Sequence, residues 1–158
     1  MADNRSCRFI ADGMLGKLAT WLRILGFDTE YFSGSDKYFL LWKAKKEERT
    51  ILTRDGCFFR INQWLCVFIE SENIKQQLRE IKDKTGIEWD RKKFFSRCNV
   101  CNEALEPKNP EDVIEKIPEY VAKTQKNFSY CKICGRIYWQ GTHYQRMLEF
   151  INSIMNEK

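Results

Sequence analysis

Hydrophobic positions near the start of the chain switch from one period to another. Cys7 to Ala11 is a short run rich in apolar side chains, with the length and composition of a strand buried in a parallel sheet, and Asp12 ends it. From Met14 the apolar residues Met14, Leu15, Leu18, Trp21, Leu22 and Leu25 recur at three- and four-residue steps, which predicts one face of an amphipathic helix. Lys17 and Thr20 fall on the opposite face. Gly26 supplies a positive-φ position that stops the helix, and Asp28 to Phe32 resume a strand-like pattern. The unit reads β-α-β.

The alternation continues. Ser33-Gly34-Ser35-Asp36 is a loop ending in a good N-cap residue, and Phe39, Leu40, Lys43, Ala44 and Glu47 follow at helical spacing. Thr50 to Thr53 is β-branched and apolar and closes on Arg54-Asp55-Gly56. Asp55-Gly56 is also a hairpin signal, which would pair Ile51 to Thr53 with a strand around Phe58 and Phe59. A crossover is preferred, because helices separate the preceding strands. Cys66 to Ile69 reads as a further strand with Glu70 at its far end. Asn73 to Lys84 is a charged helix with Ile74, Leu78 and Ile81 as its buried stripe. Strands alternating with helices predict an α/β fold, a three-layer α/β/α sandwich around a parallel sheet, over residues 5–92.

Beyond it, residues 93–158 read as a small zinc ribbon with a C-terminal helix. Arg91-Lys92-Lys93-Phe94-Phe95-Ser96-Arg97 is basic and carries two aromatics. Such a run either tracks a phosphate backbone with Phe94 or Phe95 stacking on a base, or is a solvated linker with both rings tucked in. Cys98-x-x-Cys101 is followed about thirty residues later by Cys131-x-x-Cys134, a spacing that suits a four-thiolate structural zinc site. Asn102 and Gly135 follow the second cysteine of each pair, and both tolerate the left-handed turn of a knuckle. Pro107, Pro110 and Pro118 mark an irregular insertion between the knuckles, and Ile137 to Trp139 a ribbon strand. Thr142 and Gln145 have capping-box spacing ahead of a helix containing Met147, Leu148, Ile151 and Ile154. His143, the single histidine, takes a structural role or, as the lesser alternative, a phosphate or substrate contact when four thiolates already complete a zinc site.

Composition narrows the class. At 158 residues there is room for one domain and an appendage, and the net charge of +5 weakly favours an anionic partner. No apolar run approaches the roughly 20 residues needed to span a bilayer, and the start of the chain lacks a signal-peptide pattern. The expectation is a soluble, cytoplasmic protein. Of the seven cysteines, Cys7, Cys57 and Cys66 stand in apolar surroundings and read as buried thiols.

Candidate chemistry lies at the strand ends. Ligands of open parallel sheets bind beyond the carboxyl ends of the strands, where Asp12, Asp55 and Glu70 fall and where Asp36 opens the second helix. Asp28 begins a strand and belongs to the opposite edge. One such acid is simply a helix cap. Several converging carboxylates repel unless a cation neutralises them, and magnesium or manganese suits an all-oxygen set. Asp12, Asp36 and Asp55 are thus the candidate catalytic and metal-holding acids. Lys17 and Arg54 beside them are candidate contacts to substrate phosphates.

Phe9-Ile10-Ala11-Asp12-Gly13-Met14-Leu15-Gly16-Lys17-Leu18-Ala19-Thr20-Trp21-Leu22-Arg23-Ile24-Leu25-Gly26-Phe27-Asp28, Ile51-Leu52-Thr53-Arg54-Asp55, Ser96-Arg97-Cys98 with Cys101-Asn102, and Tyr138-Trp139 with Gly141-Thr142-His143 resemble the mut-seven C-terminal RNase domain family, in order along nearly the whole chain. The resemblance implies a PIN-like nuclease domain followed by a zinc ribbon, and metal-dependent cleavage of RNA. It matches Asp12 and Asp55 to the family's best-defined acids and Asp36 to the acid opening the second helix. Thr20 stands where an Arg is usual, and Gly56 to Phe59 replace a more basic run. The competing class is a non-catalytic adaptor, in which a PIN-like domain and ribbon hold RNA or a protein partner.

Overall fold

The structure is a computed structural model that describes residues 7–157. Arg5 and Ser6, where the first domain is expected to start, lie outside the described residues. The chain divides into two compact units, Met1–Asn102 and Glu103–Lys158.

In the first unit, strands β1 (Arg8–Asp12), β2 (Asp28–Phe32), β3 (Thr50–Thr53) and β4 (Cys66–Phe68) form a sheet of order β2-β1-β3-β4. Every pairing is parallel. Between and after the strands run α1 (Gly16–Ile24), α2 (Lys37–Lys46), α3 (Gly56–Ile61) and α4 (Ile74–Thr85). Side chains alternate across a strand, so the sheet has two apolar faces to cover. Ile10, Ile51 and Cys66 meet Leu40 and Ala44 of α2 and Phe58 of α3 in one core cluster. Helices α1 and α4 touch each other and pack on strands β1 and β4 respectively. The α/β/α expectation is met, and the crossover prevails over the hairpin because Asp55 caps α3 and so starts a helix where a hairpin needs a strand.

Local differences from the sequence pattern have physical causes. Asp12 is followed by a single 3₁₀ turn, Gly13–Leu15, before α1 begins. Met14 sits on that turn and is 75 % exposed, so the buried face of α1 is Leu18, Ala19 and Leu22, with Leu15 just before it. Cys66 is buried, but Cys7 and Cys57 are exposed: Cys7 precedes the first strand, and Cys57 occupies the outer first turn of α3.

The second unit holds an antiparallel sheet of β5 (Glu106–Lys108), β6 (Phe128–Tyr130) and β7 (Ile137–Trp139), in that order. Helices α5 (Pro110–Val113) and α6 (Glu119–Thr124) separate β5 from β6, and α7 (Thr142–Asn156) follows β7. The proline-marked insertion is therefore ordered. Pro110 and Pro118 start helices, where a missing N–H costs nothing, and Val113 and Val121 bury against Phe128. The capping box does not form. Gly141 is the N-cap of α7, its carbonyl accepts from the Gln145 amide, and Thr142 is already helical.

Candidate active site and the cysteine cluster

Strand β1 lies between β2 and β3, so the strand order reverses between β1 and β3, the kind of switch point outside whose carboxyl ends open parallel sheets bind ligands. Asp12 ends β1 there and is only 7 % exposed. One oxygen, Oδ1, accepts from the Gly13 amide at 2.9 Å. The other, Oδ2, accepts from the Thr53 hydroxyl at 3.1 Å and from the ammonium of Lys37. Thr53 in turn accepts from the Asp55 amide at 3.0 Å. A single hydroxyl thus joins the ends of β1 and β3. Lys37 also lies over the Phe58 ring, 5.2 Å from its centroid.

Asp36 and Asp55 stand at the same edge as N-caps. Asp36 Oδ1 accepts from the Tyr38 and Phe39 amides, both at 3.0 Å. Asp55 Oδ1 accepts from Cys57 and Phe58 at 3.1 and 3.0 Å. Glu70 turns away to Lys84 at 3.3 Å. Lys17 is exposed on the first turn of α1. Arg54 reaches the Glu70 carbonyl at 3.3 Å and Glu72 at 3.5 Å, while its Nε is buried without a hydrogen-bond partner. Thr20 bonds back to the Gly16 carbonyl at 3.2 Å. Lys37 and Thr53 are the members that the sequence pattern did not single out. The signal was present, since each lies within two residues of a candidate acid.

The oxygen donors suit a hard divalent ion. Their arrangement is looser than a closed cage: among the described residues, the one group of three or more Cys, His, Asp or Glu placed to hold a metal is made of cysteines. At Asp12 the positive charge is supplied from within the chain by Lys37.

The amino edge of the sheet is built differently. Asp28 bonds to Arg49 at 2.7 Å, Arg8 at 3.1 Å and the Asn102 amide at 2.7 Å. Burial alone would raise its pKa, but the Arg49 and Asn102 bonds overcome this and hold the carboxyl at about 2. That stabilisation is present above the ordinary carboxylate pKa and is lost as pH falls toward 2. Asn102 Oδ1 also accepts from the Thr29 amide at 2.9 Å, and Arg23 donates to the Asn99 and Val100 carbonyls at 3.1 Å. The first knuckle is thereby fastened to the edge remote from Asp12. Asn102 at φ 65° and Gly135 at φ 74° adopt the left-handed turns expected of knuckles. The Cys101 amide points at Cys98 Sγ at 3.3 Å.

The four sulfurs of Cys98, Cys101, Cys131 and Cys134 all lie within 4.8 Å of one another. Four thiols so gathered fit a tetrahedral zinc ion. Cys98 and Cys131 are fully buried. His143 is exposed on α7 and is not in this group.

Residues 7–151 match the model of the Mut7-C RNAse domain. The chain belongs to that family. No match was found among curated proteins or among solved structures. Membership in the Mut7-C RNAse domain family points to a nuclease-type function, and the carboxyl edge at Asp12 is where the fold presents its acids. No helix among the described residues is long and apolar enough to cross a membrane.

Proposed function

We propose that the chain is a magnesium- or manganese-dependent ribonuclease that hydrolyses RNA phosphodiester bonds, with Asp12, Asp36 and Asp55 holding the ion. The observation that carries the proposal is Asp12, a nearly buried carboxylate at the switch point of the sheet, in a chain of an RNase domain family. Lys37 neutralises that charge in the metal-free chain, and Oδ2 of Asp12 is the oxygen that a divalent ion would take over from it. When bound, the divalent ion supplies a hydroxide from water and charge stabilisation at the scissile phosphate. Thr53 holds Asp12 and the Asp55 backbone in register. The Oδ1 bonds of Asp36 and Asp55 orient each carboxylate through its helix N-terminus. Lys17 and Arg54 contact the phosphates of the substrate. Zinc at the four cysteines is structural.

One observation favours a second reading, a non-catalytic RNA- or protein-binding adaptor: the three carboxylates are not gathered into a metal-holding group. Cleavage of labelled single-stranded RNA and thermal melting, each with and without Mn²⁺, separate the two. Asn keeps the capping oxygen and removes the charge, so Asp12→Asn and Asp55→Asn should abolish cleavage and the Mn²⁺-induced stabilisation; Asp55→Asn should melt close to wild type, whereas Asp12→Asn also leaves the Lys37 ammonium without its partner and should melt lower. Cleavage that survives in both variants would defeat the proposal. RNA binding by a wild type that neither cleaves nor responds to Mn²⁺ would assign the chain to the adaptor class.

A further inference from the structure

Helix α2 carries more aromatic surface than its packing explains. Its buried residues are Leu40 and Ala44. Tyr38 is 87 % exposed, Trp42 53 % and Phe39 45 %, and Trp64, in the turn after α3, is 64 % exposed. Tyr38, Trp42 and then Lys45 and Lys46 follow one another at three- to four-residue steps, so they lie along one outward face. The rings are organised. Phe32, Phe39 and Trp42 form a tilted series with centroids 6.0 and 5.5 Å apart. Lys46 Nζ lies 4.7 Å from the Trp42 ring centroid and Lys45 Nζ 4.8 Å from that of Trp64.

Large rings left in water forgo the stabilisation that burial of an apolar side chain gives, so a grouped set of them marks a binding surface. The charge pattern selects the partner. Of the four lysines between Lys37 and Lys46, Lys37 pairs with Asp12 and Lys43 with Glu30 and Glu47, which leaves Lys45 and Lys46, beside the Trp64 and Trp42 rings, to meet an anionic partner. A purely apolar protein groove would leave the charge of these ammonium groups unmatched. Single-stranded RNA matches both features, offering π-faces to the rings and phosphates to the lysines. Duplex RNA keeps its bases stacked on each other and offers the phosphates alone.

We propose that the outward face of α2, with Trp64, is a stacking platform for single-stranded RNA, which runs along the helix toward the acid edge. Helix α2 begins at its N-cap Asp36, one of the candidate acids, and its ten residues extend about 15 Å from there. The role of the platform in delivering substrate rests on the ribonuclease proposal, but binding is separable from cleavage. The basic run at Arg91–Arg97 is a different place: there Phe94 and Phe95 are half-buried and the Phe95 amide bonds to the Ile24 carbonyl at 2.7 Å.

The test is fluorescence anisotropy of a fluorescein-labelled twelve-nucleotide oligouridylate in buffer without added divalent ions, with heparin as a polyanion that lacks bases. Base–aromatic stacking is worth about 1–3 kcal/mol per base, so Tyr38→Ala with Trp42→Ala should weaken oligouridylate binding by at least about tenfold and heparin binding by much less. Trp42→Phe should retain most of the affinity. Lys45→Glu with Lys46→Glu should weaken both ligands and flatten the salt dependence. Melting checks that these surface variants fold. Oligouridylate affinity unchanged in the Tyr38/Trp42 variant, or equal losses for both ligands, would overturn the platform. If cleavage nevertheless persisted, the ribonuclease proposal would stand without it. A platform that binds as described on a wild type unable to cleave RNA in Mg²⁺ or Mn²⁺ would refute the nuclease and leave the platform intact.

Discussion

Lys37 and Asp12 form a pair in which the carboxylate is the more deeply buried member, with side-chain exposures of 36 % and 10 %. The ammonium keeps the Asp12 charge from standing alone beside the apolar cluster of Ile10, Phe58 and Cys66. Burial, followed by the nearby Asp12 charge, pushes the Cys66 thiol up to about 12, so it stays protonated and unreactive. If a divalent ion binds Asp12, it competes with Lys37 for the same oxygen. Lys37→Met should therefore have two opposed effects. Without metal it removes one partner of a largely buried pair, at a cost of about 1–3 kcal/mol once the exposure of Lys37 is discounted. With Mn²⁺ it removes the competitor, so the metal-induced rise in melting temperature should be larger than in wild type and appear at lower Mn²⁺ concentration. An equal or smaller Mn²⁺ response in Lys37→Met would show that the ammonium and the ion do not share a site.

Between elements, the junction from α1 to β2 illustrates what local sequence can and cannot reveal. Gly26 is legible as a helix stop, and it does sit at φ 93°. Its second constraint is not local: a Cβ there would lie 2.4 Å from the Lys93 carbonyl oxygen, where the basic run crosses the end of α1. Gly86, the C-cap of α4 at φ 72°, has open space around the same position. Gly86→Ala should thus cost about 1 kcal/mol for the backbone alone, and Gly26→Ala about 2–4 kcal/mol because overpacking adds to it. Equal costs in urea melts would mean that the 91–93 crossing contributes nothing. The same distinction runs through the fold. The strands, the crossovers and the acids at Asp12, Asp36 and Asp55 were readable because strand length, caps and turn chemistry are short-range. In α2 the apolar residues surround the helix, so periodicity could not tell buried Leu40 from exposed Phe39, Tyr38 and Trp42. Asp28 was legible as belonging to the amino edge, but its bond to Asn102 joins residues far apart in sequence.

Across the whole molecule, the chemistry divides between the two ends of the sheet. Asp12 pairs in register with Phe32 at the carboxyl edge, and Arg8 with Asp28 at the amino edge. A five-residue strand separates these edges by roughly 16 Å, and the first cysteine knuckle hangs from the amino edge through Asn102. A zinc ion held by the cysteines would therefore act on folding rather than on a reaction at Asp12. A structural zinc site of this kind contributes about 10 kcal/mol to the segments it ties. The cluster of Ile10, Leu40, Ala44, Ile51, Phe58 and Cys66 uses none of the four ligands. Cys131→Ser should lose its one zinc per chain, measured by elemental analysis, and hydrogen exchange should accelerate over residues 97–141. The amides of β1 and β3 should keep their protection, because their partners lie within the four-stranded sheet and the segment before β4, and their side chains are buried by the helices of the first unit. Zinc content equal to wild type would remove the metal from Cys131. Loss of protection in β1 and β3 together with the ribbon would make the zinc a keystone of the α/β core, contrary to a core that closes on its own side chains.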